Sequence, residues 1–262
     1  MDLYNTKICI IGAGAMGTAI ANGLLSDKKF NPSNLSISNP HLEKIYSYKD
    51  KGVRIFSNNT EAVKDTDLVV LCVKPWIIPE VIKEIRGFIN PEKSEVCSIA
   101  AGISSEELKS FFGDIVPENL STAIPNTAMA VKESMTFVVP VTGNPLKTSS
   151  LFNVLGVVML TDEKHLPAGM ALASCGIAFA MRYIRAACEG GVELGFKADQ
   201  AKEIVCQTLT GTVSLLKTSG SHPEAEIDKV TTPGGFTIKG LNAMERYGFT
   251  TAVIEGLKAT QP

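Results

Sequence analysis

Three glycines near the start of the chain are spaced for binding a phosphate group. Gly12, Gly14 and Gly17 follow the order G-x-G-x-x-G, directly after the apolar run 8–11 and before an alanine-rich run, 18–25, that suits a helix. The first glycine permits a tight turn, the second lets backbone approach a pyrophosphate, and the third permits close packing of helix on strand. A helix N-terminus adds free N–H groups. The pattern predicts a dinucleotide site, and a glycine-rich corner without a ligand is the alternative.

Three further predicted strands end in small or rigid residues. The segments read Val73-Lys74-Pro75, Ala100-Ala101-Gly102 and Pro125-Asn126-Thr127. Ligands of open α/β sheets lie beyond the carboxyl ends of the strands. These segments lack the acids and bases of a hydrolase, and they suit a wall against which a flat nicotinamide can lie. Lys74 is either a ligand of ribose or phosphate, or a solvated charge at the end of a strand, and the sequence favours neither.

The stretch after the second predicted strand indicates whether the cofactor is NADPH or NADH. NAD-binding folds commonly carry Asp or Glu about 20 residues beyond the glycines. Here Ser38, Asn39 and Pro40 occupy that place, so no carboxylate of this stretch would repel a 2′-phosphate. Ser38, Asn39 and Asn59 can donate hydrogen bonds, although the usual arginine is missing. The sequence therefore favours NADPH and leaves NADH open.

A second candidate loop lies far downstream, in residues 228–240. Thr231 or Thr232 could cap a helix whose first residue is Pro233. Gly234 and Gly235 would then stand in the first turn, where each costs about 1 kcal/mol relative to alanine. Two explanations remain open: bare N–H groups hold a carboxylate at this helix N-terminus, or the glycines serve a helix contact or a loop.

Alternating strands and helices must position these segments. Strands are predicted over residues 8–11, 34–38, 53–56, 67–73, 96–100, 120–124, 135–139 and 157–160. Helices are predicted over 18–25, 41–51, 77–88 and 104–112, with a Ser104-x-x-Glu107 capping box in the last, and later over 166–194, 198–217, 233–247 and 250–257. The alternation predicts an α/β fold with a doubly wound, mostly parallel sheet. We predict a dinucleotide-binding domain over 1–162 and an all-helical domain over 163–262.

Composition excludes several classes of protein. A net charge of −2 gives no electrostatic basis for binding nucleic acid or an anionic membrane. The six cysteines form no C-x-x-C pair and the three histidines lie far apart, so we expect reduced thiols and no metal. The chain leads at once into its first predicted strand, so we expect no secretion signal and a cytoplasmic protein.

The helical half predicts an assembly. The segments 169–173 and 175–181 are apolar around much of their circumference, so most sides of these helices must be covered. The run 166–181 is short for a membrane span and is interpreted as a buried helix. Because one layer of about four helices cannot cover itself, we expect a homodimer or a larger assembly joined through this half.

Taken in order, the motifs resemble those of the pyrroline-5-carboxylate reductase family nearly end to end. The matching segments are 11–17, 73–75, 98–103, 125–127, 189–195 and 230–241. The resemblance implies an N-terminal Rossmann domain and a C-terminal helical dimerisation domain, in a family whose dimers often assemble into decamers. It also implies an oxidoreductase of proline biosynthesis, which transfers hydride from NAD(P)H to the C=N carbon of L-1-pyrroline-5-carboxylate to give L-proline.

The resemblance also assigns roles to residues. It places the substrate carboxylate in the loop 232–237, with the Thr237 hydroxyl facing the ring nitrogen as the one candidate catalytic group. The substrate-binding candidates are Thr232, Gly234, Gly235, Phe236 and Thr237. The cofactor-binding candidates are Gly12, Gly14, Ala15, Met16, Gly17, Ser38, Asn39, Asn59, Val73, Lys74, Pro75, Ala100, Ala101, Gly102, Pro125 and Asn126.

Some segments depart from the family pattern. Thr122 replaces the usual arginine before Pro125-Asn126-Thr127, Ala128 replaces a proline, and Ala173–Ala178 replaces a Ser-Gly-Ser-Gly-Pro-Ala segment that flanks the substrate pocket. These changes motivate two alternatives to the reductase. One is a non-catalytic NAD(P)-responsive binding protein, and the other is a related reductase or dehydrogenase acting on another imino or hydroxy acid.

Overall fold

The computed structural model describes residues 3–261, which form one eight-stranded sheet and a series of helices. The strands are β1 (Ile8–Ile11), β2 (Leu35–Ser38), β3 (Arg54–Phe56), β4 (Leu68–Leu71), β5 (Glu95–Ser98), β6 (Asn119–Ile124), β7 (Ser134–Thr142) and β8 (Gly156–Leu160). Their order is β3-β2-β1-β4-β5-β6-β7-β8, and all neighbouring pairs are parallel except β6 and β7. The predicted Rossmann-type, mostly parallel sheet is confirmed.

The sheet is buried on both faces, which explains its unbroken apolar strands. Along β1 the side chains alternate between two clusters. Ile8 and Ile10 pack on one face with residues from the helices that flank it, and Cys9 and Ile11 pack on the other. Because every residue of β1 meets a packed face, none of them is polar.

The helices of the sheet region are short. They are α1 (Ala15–Leu25), α2 (Tyr46–Lys49), α3 (Asn59–Ala62), α4 (Ile78–Ile85), α5 (Ser105–Ser110), α6 (Leu146–Val154) and α7 (Leu166–Met170). The predicted capping box of Ser104 and Glu107 is present at the start of α5. The continuous helix predicted over 41–51 is wrong, because a 3-10 turn, Leu42–Lys44, precedes α2. Only Ile45 and Tyr48 of this stretch are buried, which is too few for a continuous apolar face.

The chain divides into two compact units, one up to Ser174 and one from Cys175 onward. The second unit contains the helices α8 (Gly176–Glu193), α9 (Ala198–Ser219), α10 (Pro223–Lys229), α11 (Phe236–Arg246) and α12 (Phe249–Lys258). No helix was predicted over the residues of α10. The boundary predicted after residue 162 stays a prediction, since the helices that begin near it belong partly to the first unit.

The helix predicted over 166–194 is interrupted. Between α7 and α8 lies a π-helical turn, Ala171–Cys175. Asn126 Nδ2 donates a hydrogen bond to the Ala173 carbonyl oxygen at 3.2 Å, so a side chain reaches into the carbonyl ladder at this point. Inserted side chains of this kind, and π-turns themselves, are known causes of a local change in helix geometry.

The long apolar helix is not buried within one chain. Among the described residues, the run 163–193 is long and apolar enough to cross a membrane by length and composition, and 11% of its most apolar window is buried. Core helices of soluble proteins meet the same criteria, so this observation assigns no span. The expectation of a buried helix is wrong for the single chain, because the chain itself does not cover this surface.

Candidate active site

The glycine-rich turn has the geometry that its spacing predicts. Gly12 has φ +100°, and a Cβ there would lie 2.7 Å from the Cys72 carbonyl oxygen. A Cβ on Gly17 would clash with the Gly12 carbonyl oxygen, so helix and strand approach too closely for a side chain. A Cβ on Gly14 would meet no atom within 4 Å, and Gly14 is the N-cap residue of α1. Open space therefore lies where a pyrophosphate would contact bare N–H groups.

The topology brings the other cofactor candidates to the same edge of the sheet. Because β1, β4, β5 and β6 are parallel neighbours, the segments that follow them, 12–17, 73–75, 100–102 and 125–126, meet at their carboxyl ends. Lys74 is exposed there, as the residue before the 3-10 turn Pro75–Ile77. Ala101 and Gly102 are also exposed, whereas Pro125 and Asn126 are buried.

The Asn126 side chain is engaged within the fold. Its Oδ1 accepts a hydrogen bond from the Ala128 N–H at 3.0 Å, while Nδ2 donates to Ala173, and its own backbone N–H donates to Ser134 Oγ at 3.2 Å. This amide therefore connects the segment after β6 with the π-turn. A direct contact of Asn126 with the cofactor stays a prediction.

The polar residues predicted to contact the cofactor ribose form a hydrogen-bonded chain. Ser38 Oγ lies 2.7 Å from Asn59 Oδ1, and Asn59 Nδ2 lies 2.7 Å from Glu84 Oε2. Asn39 stands apart from this chain, because its Oδ1 accepts a hydrogen bond from the His41 N–H. Glu84 was not among the predicted site residues, because it lies on α4 and no local spacing in the sequence relates it to Ser38.

The late glycine loop differs from the prediction in where its helix begins. The helix α11 starts at Phe236 with Gly235 as its N-cap residue, so neither Thr231 nor Thr232 caps it and Pro233 is not its first residue. Instead Gly235 N–H donates to the Thr232 carbonyl oxygen at 2.9 Å, and Gly234 has φ +72°. A left-handed backbone at Gly234 favours a turn over a first helical turn.

The N-terminus of α11 is uncapped. No side chain caps it and no acidic residue stands in its first turn. A Cβ on Gly235 would lie 2.5 Å from Thr232 Oγ1 and 3.0 Å from the Thr232 carbonyl oxygen, so a side chain here would require Thr232 to shift. Phe236 is 94% exposed and Thr237 is exposed beside it. The glycines thus serve a loop, and the same loop leaves N–H groups and the positive end of the helix dipole bare.

The side chains that could ligate a metal are dispersed: among residues 3–261, no three His, Cys, Asp or Glu residues are grouped so that they could hold a metal ion. Burial raises the pKa of the Cys9 and Cys97 thiols to about 12, and it raises the pKa of Cys72 well above its usual value. These thiols therefore remain neutral and do not act as nucleophiles.

A Rossmann sheet with an open glycine turn and a wall of small residues defines a dinucleotide-dependent oxidoreductase. The chain is 34% identical to pyrroline-5-carboxylate reductase 2 of Dictyostelium discoideum, over 98% of this chain and 91% of that protein. The chain belongs to the pyrroline-5-carboxylate reductase family, whose members are NAD(P)H-dependent enzymes of proline biosynthesis.

Other comparisons agree with this assignment. Pyrroline-5-carboxylate reductase 1 of the same organism is 36% identical over 98% of this chain, which spans 49% of that longer protein. The crystal structure of Plasmodium falciparum pyrroline carboxylate reductase with NADP bound has a TM-score of 0.85 and 26% identity, covering 99% of this chain and 97% of that one.

Two family models match different parts of the chain. Residues 7–102 match the model described as NADP oxidoreductase coenzyme F420-dependent, and residues 163–262 match pyrroline-5-carboxylate reductase dimerisation. The helical half is therefore an oligomerisation domain, and the protein acts on a small molecule.

Proposed function

We propose that this chain reduces L-1-pyrroline-5-carboxylate to L-proline with hydride from NADPH. The hydride adds to the C=N carbon, the ring nitrogen takes up a proton, and the cofactor leaves as NADP⁺. The observation that carries the proposal is the turn from Gly12 to Gly17, where open space over Gly14 meets the start of α1. NADPH is the donor of choice because a family relative of known structure holds NADP.

The nucleotide extends along the carboxyl edge of the sheet. Its pyrophosphate contacts the N–H groups of Gly14, Ala15 and Met16, and its adenosine ribose reaches the end of β2 at Ser38 and Asn39, with Asn59 beside them. The nicotinamide lies against 73–75, 100–102 and 125–126. Lys74 is exposed at this edge, which supports a role as a ligand of ribose or phosphate.

The substrate carboxylate binds at the N-terminus of α11. Uncapped N–H groups, a helix dipole and the absence of acidic residues in the first turn favour a negative charge there. Gly234 and Gly235 shape the turn, Thr232 and Phe236 flank it, and the Thr237 hydroxyl faces the ring nitrogen. Because no strong acid or base stands in this loop, positioning of the two rings supplies most of the acceleration.

The helical half joins two protomers into a homodimer, which can build further to a decamer in the cytoplasm. We assign residues 1–162 to the dinucleotide-binding domain and 163–262 to the substrate and dimerisation domain, supported by the start of the dimerisation model at residue 163. Dilute-solution light scattering tests the dimer, and a monomer would contradict it.

The primary experiment follows the absorbance of reduced nicotinamide with racemic pyrroline-5-carboxylate as substrate. Turnover with NADPH supports the proposal, and no turnover with either NADPH or NADH rejects it. Calorimetry on the same preparation distinguishes the alternatives. Nucleotide binding without hydride transfer to any cyclic imine would indicate a binding protein, and turnover of another imino or hydroxy acid alone would indicate a related reductase.

A variant of the glycine turn tests the nucleotide site. Gly14→Val places a side chain where the pyrophosphate lies, so we expect the Kd for NADPH to rise at least about tenfold. Gly87→Val is the matched control, because a Cβ at Gly87 also meets no atom within 4 Å but stands outside the site. Equal Kd values for the two variants would remove the glycine turn from the binding site.

A pair of variants tests Thr237. Thr237→Ala removes the hydroxyl, and we expect kcat to fall about ten- to a hundredfold while the Kd for NADPH is unchanged. Thr237→Ser restores a hydroxyl and should recover most of the loss. Unchanged turnover in the alanine variant would exclude this hydroxyl from the mechanism.

A further inference from the structure

The cofactor ribose site contains a carboxylate that the local sequence does not reveal. Ser38 ends β2, Asn59 opens α3, and Glu84 lies near the end of α4, yet hydrogen bonds of 2.7 Å connect each to the next. The end of the second strand is where a dinucleotide-binding sheet contacts the ribose 2′ position. NAD-binding folds commonly carry an acid at that strand end, whereas here Ser38 occupies it and the acid of this hydrogen-bonded chain, Glu84, belongs to α4.

The carboxylate fixes the direction of the hydrogen bonds. An ionised carboxylate only accepts, so the Asn59 atom facing Glu84 must be the amide nitrogen. The Asn59 oxygen then faces Ser38, whose hydroxyl must donate its single proton to it. Ser38 is 1% exposed, so its hydroxyl holds the Asn59 amide in place and does not itself face a nucleotide. A 2′-phosphate needs donors, and one of the two Asn59 amide protons is already donated to Glu84.

The negative charge of Glu84 also disfavours a 2′-phosphate relative to a 2′-OH. Among residues 3–261, no cationic side chain forms an ion pair with Glu84, so its negative charge is not neutralised by a close partner. Glu84 is exposed and Asn59 is half-buried, so the interaction with a bound nucleotide crosses a partly solvated surface. A 2′-phosphate near Asn59 would be repelled, although solvent and salt reduce the repulsion.

We propose that Glu84 is a specificity-determining residue that limits the preference of this protein for NADPH over NADH. This inference rests on the proposed use of a nicotinamide cofactor at this edge of the sheet. Glu84 orients Asn59, accepts one of its amide protons, and places a negative charge beside the 2′ position. Each effect favours the 2′-OH of NADH relative to the 2′-phosphate of NADPH.

The test compares both cofactors in matched variants. Glu84→Gln removes the charge and keeps the shape, and Glu92→Gln removes the same charge from an exposed position in the loop before β5. We measure Kd for NADP⁺ and NAD⁺ by calorimetry and kcat/KM for NADPH and NADH, at low and at high salt. We expect Glu84→Gln to raise the NADP⁺ over NAD⁺ preference about three- to tenfold, and more at low salt.

The outcomes separate this inference from the proposed function. A preference in Glu84→Gln within twofold of that in Glu92→Gln, or an equal change for both nucleotides, would overturn the role of Glu84. Since the Kd values need no substrate, they test Glu84 even if the wild-type protein fails to reduce pyrroline-5-carboxylate. Such a failure would reject the proposed reaction alone.

Discussion

The two units of the chain differ in how much of their surface a single protomer buries. In the sheet unit, all four residues of β1 are at most 1% exposed, and two apolar clusters cover both faces. Of the described residues 175–261, Ala201 alone is buried. Burial of apolar surface is the main source of folding free energy. The sheet unit thus contains its own stabilising core, whereas the helical unit must obtain one from other chains.

An apolar groove shows where the helical unit lacks cover. The groove has a volume of about 670 Å³ and is lined by α8 and by residues of α11 and α12, including Tyr183, Met244, Phe249 and Val253. Tyr183 and Phe249 pack edge to face, with ring centroids 6.4 Å apart. An apolar surface of this extent, in a domain that matches a dimerisation model, is typical of an obligate interface.

The largest effect is expected from a charge in this groove. Val253→Glu introduces a carboxylate into a groove whose lining is apolar apart from Arg182, and burying a charge without a partner costs about 3–5 kcal/mol. A symmetric dimer carries the change twice, so we expect dissociation to monomers and loss of turnover. Light scattering measures the mass of the variant.

Ile115→Glu is the control for this variant, because Ile115 is a partly exposed apolar residue of the sheet unit. We expect its assembly to match that of the wild type. If Val253→Glu keeps the wild-type mass, the groove is not part of the interface.

A truncation in the core of the sheet unit tests whether that core is complete within one protomer. Phe152 on α6 is fully buried against the sheet, and Phe152→Ala should lower the free energy of unfolding by about 3–5 kcal/mol. Phe152→Leu leaves a smaller cavity and should lose less. Denaturant unfolding followed at several protein concentrations measures both. Because this core lies within one protomer, the difference between the variants should not depend on protein concentration, and a strong dependence would contradict it.

The fold was predictable because its signals are local. An apolar strand such as β4 is buried on both faces and therefore shows an unbroken apolar run, and the capping box at Ser104 depends on residues three apart. The interruption at 171–175 was not predictable in the same way. It coincides with a contact from Asn126, far away in sequence, so no property of the segment itself reveals it.

In the candidate site, too, the residues that depend on local spacing were predicted, and those that depend on the folded chain were not. The roles of Gly12 and Gly17 follow from their spacing, and the structure supplies the close contacts that require them. The start of α11 was predicted too early, because threonine and proline favour helix N-termini while the left-handed backbone of Gly234 cannot be inferred from composition. Glu84 was missed because only the folded chain brings α4 to Asn59.

Replacing a buried carboxylate in the sheet unit should lower stability by less than Phe152→Ala does. Glu95 is 2% exposed, and its two oxygens accept hydrogen bonds from the Lys147 and Thr148 N–H groups at the start of α6, at 2.9 and 2.7 Å. Glu95→Ala leaves these donors unsatisfied and should lower stability by about 1–3 kcal/mol. Glu95→Gln retains one acceptor and should lose less. Equal stability of Glu95→Ala and the wild type in denaturant unfolding would show that other groups accept hydrogen bonds from the Lys147 and Thr148 N–H groups.

The smallest perturbation uses the cysteines as probes, since alkylation of the native protein changes no residue. Cys9 and Cys97 are buried and burial raises the pKa of each thiol to about 12, so both should resist alkylation at neutral pH. Cys206 on α9 is exposed and should be alkylated under the same conditions and in the same reaction time.

Cys188 is half-buried in the single chain, so its reactivity reports whether a second protomer covers α8. Mass spectrometry of peptides at decreasing protein concentration should show Cys188 alkylation increasing as the assembly dissociates, while Cys9 and Cys97 stay protected. Alkylation of the sheet cysteines in step with Cys188 would mean that the sheet unit, too, depends on assembly for its core.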